Sequence, residues 1–244
     1  MPKSQTCQCL LLLIITLGLG ASRTQAQPAA VHKEYSQSTY KGMKYGWFNP
    51  SGLSSNKRYP LIVYLHGSGD TLSRDNYWYK ASIQKDQPVF VLTPKCLNRD
   101  QGWGNTWTSK HTPETVNTLA LVDSLVKKYP IDINRLYIYG ISMGGFGVFS
   151  VLQKNPGKFA AAYAVCGGSD PAAAGVVMKT PLWIFHGDAD DIVPVYLSRD
   201  LYKEIVKLGG KLTRYTEYPG VKHNSWDHVN QEPELPGWLL SKKK

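Results

Sequence analysis

Gly140-Ile141-Ser142-Met143-Gly144 is a G-x-S-x-G pattern, and a serine flanked in this way has a specific chemical use. On a tight turn between a strand and a helix its Oγ stands exposed, while the glycines let neighbouring backbone pass close by. A hydroxyl is a poor nucleophile until a base removes its proton, so the chain must also hold a histidine and a group to orient it. Such a turn is accompanied by the chain order serine, acid, histidine, which among the six histidines leaves His223 and His228. His223 lies in the loop Tyr218-Pro219-Gly220-Val221-Lys222-His223-Asn224, directly after a strand-like run, and is the expected base. His228 stands in a polar stretch and reads as a surface residue. The acid should come from a strand end between nucleophile and base, where His186-Gly187-Asp188-Ala189-Asp190-Asp191 offers three aspartates. By residue type alone all three qualify. Together these groups would transfer an acyl group through Ser142.

Groups so far apart in sequence need a rigid frame to meet. Short apolar runs rich in β-branched and aromatic residues recur at Leu61–Leu65, Val89–Leu92, Leu136–Tyr139, Ala160–Val165 and Leu182–Phe185. Their continuous rather than alternating apolarity predicts parallel strands covered on both faces. Helical patterns lie between them. The clearest covers Pro113 to Lys128, with Thr112 as N-cap, Pro113 at the first position and Val116, Leu119, Ala120 and Leu125 on one face. Others follow Gly144 up to Asn155-Pro156 and cover Val195 to Leu208, where Gly209-Gly210 stops the helix. Tyr35–Tyr40 and Met43–Phe48 flank Lys41-Gly42 as an antiparallel hairpin at the sheet edge, and a further strand runs over Leu212–Tyr218. Ligands of such sheets gather beyond the carboxyl ends of the strands, and every motif above falls at such an end.

Two of these segments also carry a family likeness. His186-Gly187-Asp188-Ala189-Asp190-Asp191-Ile192-Val193-Pro194 resembles the H-G-x-x-D-x-x-V-P motif of α/β-hydrolase esterases, including acyl-protein thioesterases and dienelactone hydrolase relatives. Leu65-His66-Gly67-Ser68-Gly69-Asp70 resembles the H-G-x-G oxyanion loop of the same families. With the serine and histidine segments these motifs stand in family order over residues 59–228. The whole is similar to secreted bacterial esterases and peptidase-like hydrolases related to polyhydroxybutyrate depolymerases and feruloyl or acetylxylan esterases.

The resemblance implies an α/β-hydrolase fold, a mostly parallel doubly wound sheet with helices on both faces. It implies Asp190 as the acid, the backbone N–H groups of Ser68 and Met143 as oxyanion donors, and His66 and His186 as loop braces. Asp188 and Asp191 are left as turn residues or local charge. The activity implied is hydrolysis of carboxylic esters through an acyl-enzyme intermediate, without a cofactor or metal. A serine peptidase with the same triad, or a non-catalytic carbohydrate-binding module on a hydrolase scaffold, are the competing readings. The strand order of the fold separates the strands that precede Cys96 and Cys166 by two others, about 14 Å, too far for a disulfide.

Composition narrows the setting. Lys3 followed by the apolar run Leu10–Leu17 and the small residues Thr24 and Ala26 reads as a signal peptide over residues 1–26, with 27–34 a loose leader and 35–244 one catalytic domain. The protein is therefore expected to be secreted or periplasmic, with no membrane anchor, because the run is shorter than a bilayer span. Removing Lys3 and Arg23 lowers the formal charge from +10 to +8, and the remaining Lys and Arg residues are scattered, which argues against a nucleic-acid partner. Oligomeric state is not legible. Trp103 and Trp107, in the Gly-rich segment after Val89–Leu92, are the expected substrate-binding residues, with Tyr77-Trp78-Tyr79 and Trp226 as further candidates. Such rings suit small-molecule or polysaccharide-linked esters.

Overall fold

The five apolar runs form the strands β3 (Tyr59–Leu65), β4 (Phe90–Pro94), β5 (Ile131–Ile141), β6 (Ala161–Val165) and β7 (Leu182–Gly187), preceded by the hairpin strands β1 (Tyr35–Tyr40) and β2 (Met43–Phe48) and followed by β8 (Thr213–Tyr218). The computed structural model describes residues 33–69, 72, 76–98 and 100–244. The expected signal peptide, the leader up to residue 32, and Asp70 lie outside these residues. The eight strands make one sheet in the order β1-β2-β4-β3-β5-β6-β7-β8. β1 pairs antiparallel with β2, and β2 antiparallel with β4, whereas every pairing from β4 through β8 is parallel. The sheet is thus mostly parallel with an antiparallel edge hairpin, turned at Lys41 and Gly42 with φ of 47° and 81°.

Side chains alternate across each strand, so the sheet feeds two cores. Val63, Leu92, Ile138, Ala164 and Ile184 face one core, which α2 (Pro113–Lys128), α3 (Met143–Lys154), α4 (Ala174–Val177) and α5 (Tyr196–Lys207) cover. Tyr64, Val91, Tyr139, Tyr163 and Phe185 face the other, covered by the 3₁₀ turn Tyr77–Tyr79, α1 (Ala81–Asp86), α6 (Trp226–Val229) and α7 (Leu235–Leu240). Helices on both faces explain why the central strands carry no polar side.

The helix α2 begins where its cap and proline predict, Thr112 Oγ1 accepting from the Thr115 amide, but its inner face is shifted towards the threonines. Thr115, Thr118, Leu121, Val122 and Leu125 are buried, while Val116 is half exposed. Of the expected inner stripe, Leu125 is buried and Leu119 packs against the core, whereas Val116 is half exposed, because a purely apolar stripe assigns threonine to the wet side. Here Thr115 Oγ1 donates to the Trp103 carbonyl at 2.8 Å, and that bond makes a buried threonine tolerable. Cys96 follows β4 and Cys166 follows β6, with β3 and β5 between them, and both are buried free thiols.

Candidate active site

Ser142 sits between the end of β5 and the start of α3 with φ 54° and ψ −117°, a region that costs a non-glycine residue energy. The turn is held from both sides, its amide donating to Val165 O at 2.9 Å and its carbonyl accepting from Phe146 N at 3.1 Å. Small neighbours make this possible. A Cβ on Gly144 would collide with the Leu65 carbonyl of β3, and one on Gly140 with the Gly144 backbone. Glycine is therefore needed on both sides of Ser142 for α3 to lie this close to the sheet.

His223 arrives from the loop after β8. Its Nε2 lies 2.9 Å from Ser142 Oγ, and its Nδ1 lies 2.8 and 3.1 Å from the two oxygens of Asp190, in the loop after β7. Since a carboxylate only accepts, Nδ1 carries the proton and Nε2 is left to accept from the serine hydroxyl. The Asp190 side chain is completely enclosed. Burial pushes its carboxyl up, yet the bonds from His223 and from the amides of Val193 and Ile192 outweigh this and hold it below the ordinary carboxylate range. A charged Asp190 can thus orient the imidazole and stabilise its protonated form.

Of the competing aspartates, Asp188 accepts from the Gly220 amide at 2.6 Å and pins the turn that leads to His223. Asp191 pairs with Lys222 at 3.0 Å on the exposed surface. Neither touches His223. Asp190 also folds back on its own loop, through those two amides, as Asp191 does through its own backbone. His228 stacks on Tyr218 with centroids 5.1 Å apart.

The two remaining motif histidines hold loops. His66 Nδ1 lies 2.7 Å from Gly67 O and its Nε2 accepts from the Cys96 amide at 3.0 Å, tying the loop after β3 to the loop after β4. His186 Nε2 lies 3.0 Å from Val193 O and 3.2 Å from Asp190, while Nδ1 lies 2.8 Å from Ser198 Oγ. Its burial lowers its pKa and favours the neutral ring. Cys166 lies beside the pair, its Sγ within 4.8 Å of ligand atoms of Asp190 and His223. Burial first, with the Asp190 charge adding to it, pushes this thiol up to about 12, so it stays neutral beside the carboxylate.

Two clefts meet at Ser142. One, about 330 Å³, reaches towards His223, Trp226, Tyr77 and Asn76; the other, about 310 Å³, runs past Met143 and Phe146 to Trp107. Ser68 and Ser142 belong to both. The Met143 amide is at the first position of α3, where a helix leaves its N–H groups without intrahelical partners and its dipole favours negative charge. Ser68 and Met143 both line the second cleft beside Ser142.

Trp107 lines the second cleft, half exposed and tilted against Phe146 at 6.2 Å. Trp103 does not line either. It is fully buried, its Nε1 donating to the His66 carbonyl at 3.0 Å, so its expected contact with substrate is corrected to a brace beneath the oxyanion loop. Trp78 and Tyr79 are likewise buried, Trp78 donating to Tyr163 Oη at 3.0 Å, whereas Tyr77 and Trp226 reach the first cleft. Sequence reasoning missed Asn76 and Tyr139, which bond each other at the floor of that cleft, and Asn230 at its rim. No local pattern flags them, because each becomes part of a wall only when distant segments assemble.

Comparison with known proteins bears on this site. Residues 36–229 match the model of a family described as "Putative esterase". The bifunctional acetylxylan esterase/xylanase XynS20E of Neocallimastix patriciarum is 28% identical over 60% of this chain and 21% of its own. "Probable feruloyl esterase C" of Aspergillus terreus is 24% identical, covering 82% of this chain and 76% of that one. Among solved structures, that of a thermostable esterase superposes with a TM-score of 0.78 at 29% identity, covering 88% of this chain and 64% of the other. This chain spans 21%, 36% and 22% of the length of the first three curated relatives it matches, the second and third of which are named as peptidases.

Proposed function

This chain belongs to the esterase family whose model spans its residues 36–229, and on that premise we propose that it hydrolyses carboxylic esters through an acyl-enzyme on Ser142. The observation that carries the reading is the unbroken hydrogen-bond chain from Ser142 through His223 to the enclosed Asp190, at the carboxyl ends of β5, β8 and β7. His223 would take the Ser142 proton as Oγ attacks the ester carbon, the amides of Ser68 and Met143 would hold the oxyanion, and Asp190 would stabilise the imidazolium. The imidazolium then protonates the departing alcohol, and water, activated by the same His223, releases the acid. The relatives named for acetylxylan and feruloyl esters favour polysaccharide-linked esters as substrates. Residues 1–26, with Lys3 ahead of the apolar run Leu10–Leu17, are read as an export signal, and residues 35–244 as one catalytic unit.

Relatives named as peptidases keep a second reading in view, in which the same triad cleaves an amide. Turnover of p-nitrophenyl butyrate against that of a peptide p-nitroanilide separates the two. The ester is expected to be the better substrate by kcat/KM. Ser142→Ala and His223→Ala should each lower kcat by about 10⁶, and Asp190→Asn by about 10⁴, since the members act as a unit. Anilide turnover exceeding ester turnover would favour the peptidase, and a folded Ser142→Ala protein with normal turnover would refute both.

A further inference from the structure

The hydrolytic reading has a direction built into it, because the proton taken from Ser142 must be returned to one particular atom. In the tetrahedral intermediate the reacting carbon carries Ser142 Oγ, the oxyanion, the ester oxygen that leaves and the acyl chain. The C–O bond to the alcohol breaks as Nε2 of His223 gives it the proton, so the leaving oxygen must lie against that nitrogen. The later water takes the same place. It yields a proton to Nε2, its oxygen bonds the acyl carbon, the C–Oγ bond breaks, and Ser142 recovers its proton as the acid departs.

His223 lines the first cleft and not the second; Met143 lines the second and not the first; and Ser68 stands at their junction. With the leaving oxygen on the His223 side and the oxyanion at the junction, the acyl chain has the second cleft left to it. The walls differ in chemistry. The first combines the rings of Tyr77 and Trp226 with the amide of Asn230 at its rim, and its floor is a stack in which Tyr139, bonded to Asn76, lies 4.6 Å from Tyr64 and 4.5 Å from Tyr163. Rings with an amide beside them suit a sugar, whose apolar face stacks while its hydroxyls bond. The second offers the exposed face of Trp107 backed by Phe146, with Gln101, Asn105 and Asp100 at the rim. That suits a flat aryl group bearing a hydroxyl. The clefts are nearly equal, about 330 and 310 Å³, and an acetyl group would leave the second almost empty.

We propose that the cleft of Tyr77, Trp226 and Asn230 receives the alcohol portion as a sugar ring, and that the Trp107 cleft receives the acyl portion as a hydroxyaryl acid. This assignment rests on the ester-hydrolase reading. Two substrates load one side each: methyl ferulate, bulky on the acyl side, and acetylated xylobiose, bulky on the alcohol side. The readout is the ratio of their kcat/KM values. Trp107→Ala should lower the ratio of ferulate to xylobiose ester by about tenfold, and Tyr77→Ala should raise it by a similar factor. Asn230→Ala, at an exposed rim position, should shift it in the same direction as Tyr77→Ala and guards against a folding defect in the latter. Shifts in the opposite directions, unchanged ratios, or a wild-type protein that cleaves the xylobiose ester but not methyl ferulate would overturn the assignment while leaving the hydrolase intact. A folded wild-type protein that cleaves neither, or a Ser142→Ala variant that cleaves both, would overturn the hydrolase reading itself.

Discussion

Asp190 is the residue on which most of the site converges. It accepts from two backbone amides of its own loop and from His223, lies 3.2 Å from His186, and has no exposed side-chain surface. A carboxyl whose folded pKa lies below its unfolded one contributes stability that is present above the ordinary carboxylate pKa. That contribution is lost as pH falls through the folded value. Asp190→Asn should therefore be less stable than wild type at pH 7, with the gap in urea midpoint closing on acidification below about pH 4. A gap independent of pH would mean that the charge does not supply the stability. The three neighbouring aspartates could not be told apart by residue type, since what distinguishes Asp190 is enclosure and its line to His223. The family motif singled it out where composition could not. Trp103 shows the reverse case: its glycine-rich surroundings suggest a loop projecting over the site, but the indole turns inward to the His66 carbonyl, a contact 37 positions away in the chain.

At the scale of elements, the turn between β5 and α3 decides whether Ser142 can be held beside His223, because α3 must approach β3 with nothing between Gly144 and the Leu65 carbonyl. The obstructing group is backbone and cannot swing away. Gly144→Ala should lose at least about 1–3 kcal/mol of stability and most of its activity. Gly237, within α7, has open space for 4 Å around the place a Cβ would take and no positive φ, so Gly237→Ala should gain about 0.4–1 kcal/mol and keep activity. Denaturation midpoints of the two variants test this, and a gain in both would show that helix propensity, which favours alanine over glycine, outweighs the close approach at Gly144. The central strands were legible because parallel strands covered on both faces leave continuous apolar runs, and the hairpin because Lys41-Gly42 marks a turn between two strand-like segments rich in aromatic residues. The inner face of α2 was legible only in part, at Leu119 and Leu125, since Thr115 turns inward for a partner, the Trp103 carbonyl, that lies outside the helix.

Across the whole molecule, the sheet works as a bench that brings the ends of β3, β5, β7 and β8 into one row, and the loops from those ends supply Ser68, Ser142, Asp190 and His223. The clefts on either side were the least legible part, because their walls draw on residues from Tyr64 to Asn230 that meet only in the folded chain. Neither cleft matters to the account unless Ser142 is the nucleophile. The direct measurement is to treat the folded protein with a fluorophosphonate, follow ester turnover, and map the adduct by mass spectrometry. One adduct per chain on Ser142, with turnover falling in proportion to labelling and no adduct on Ser142→Ala, is the predicted result. Full turnover after complete labelling, or an adduct on any other residue that accounts for the loss, would contradict it.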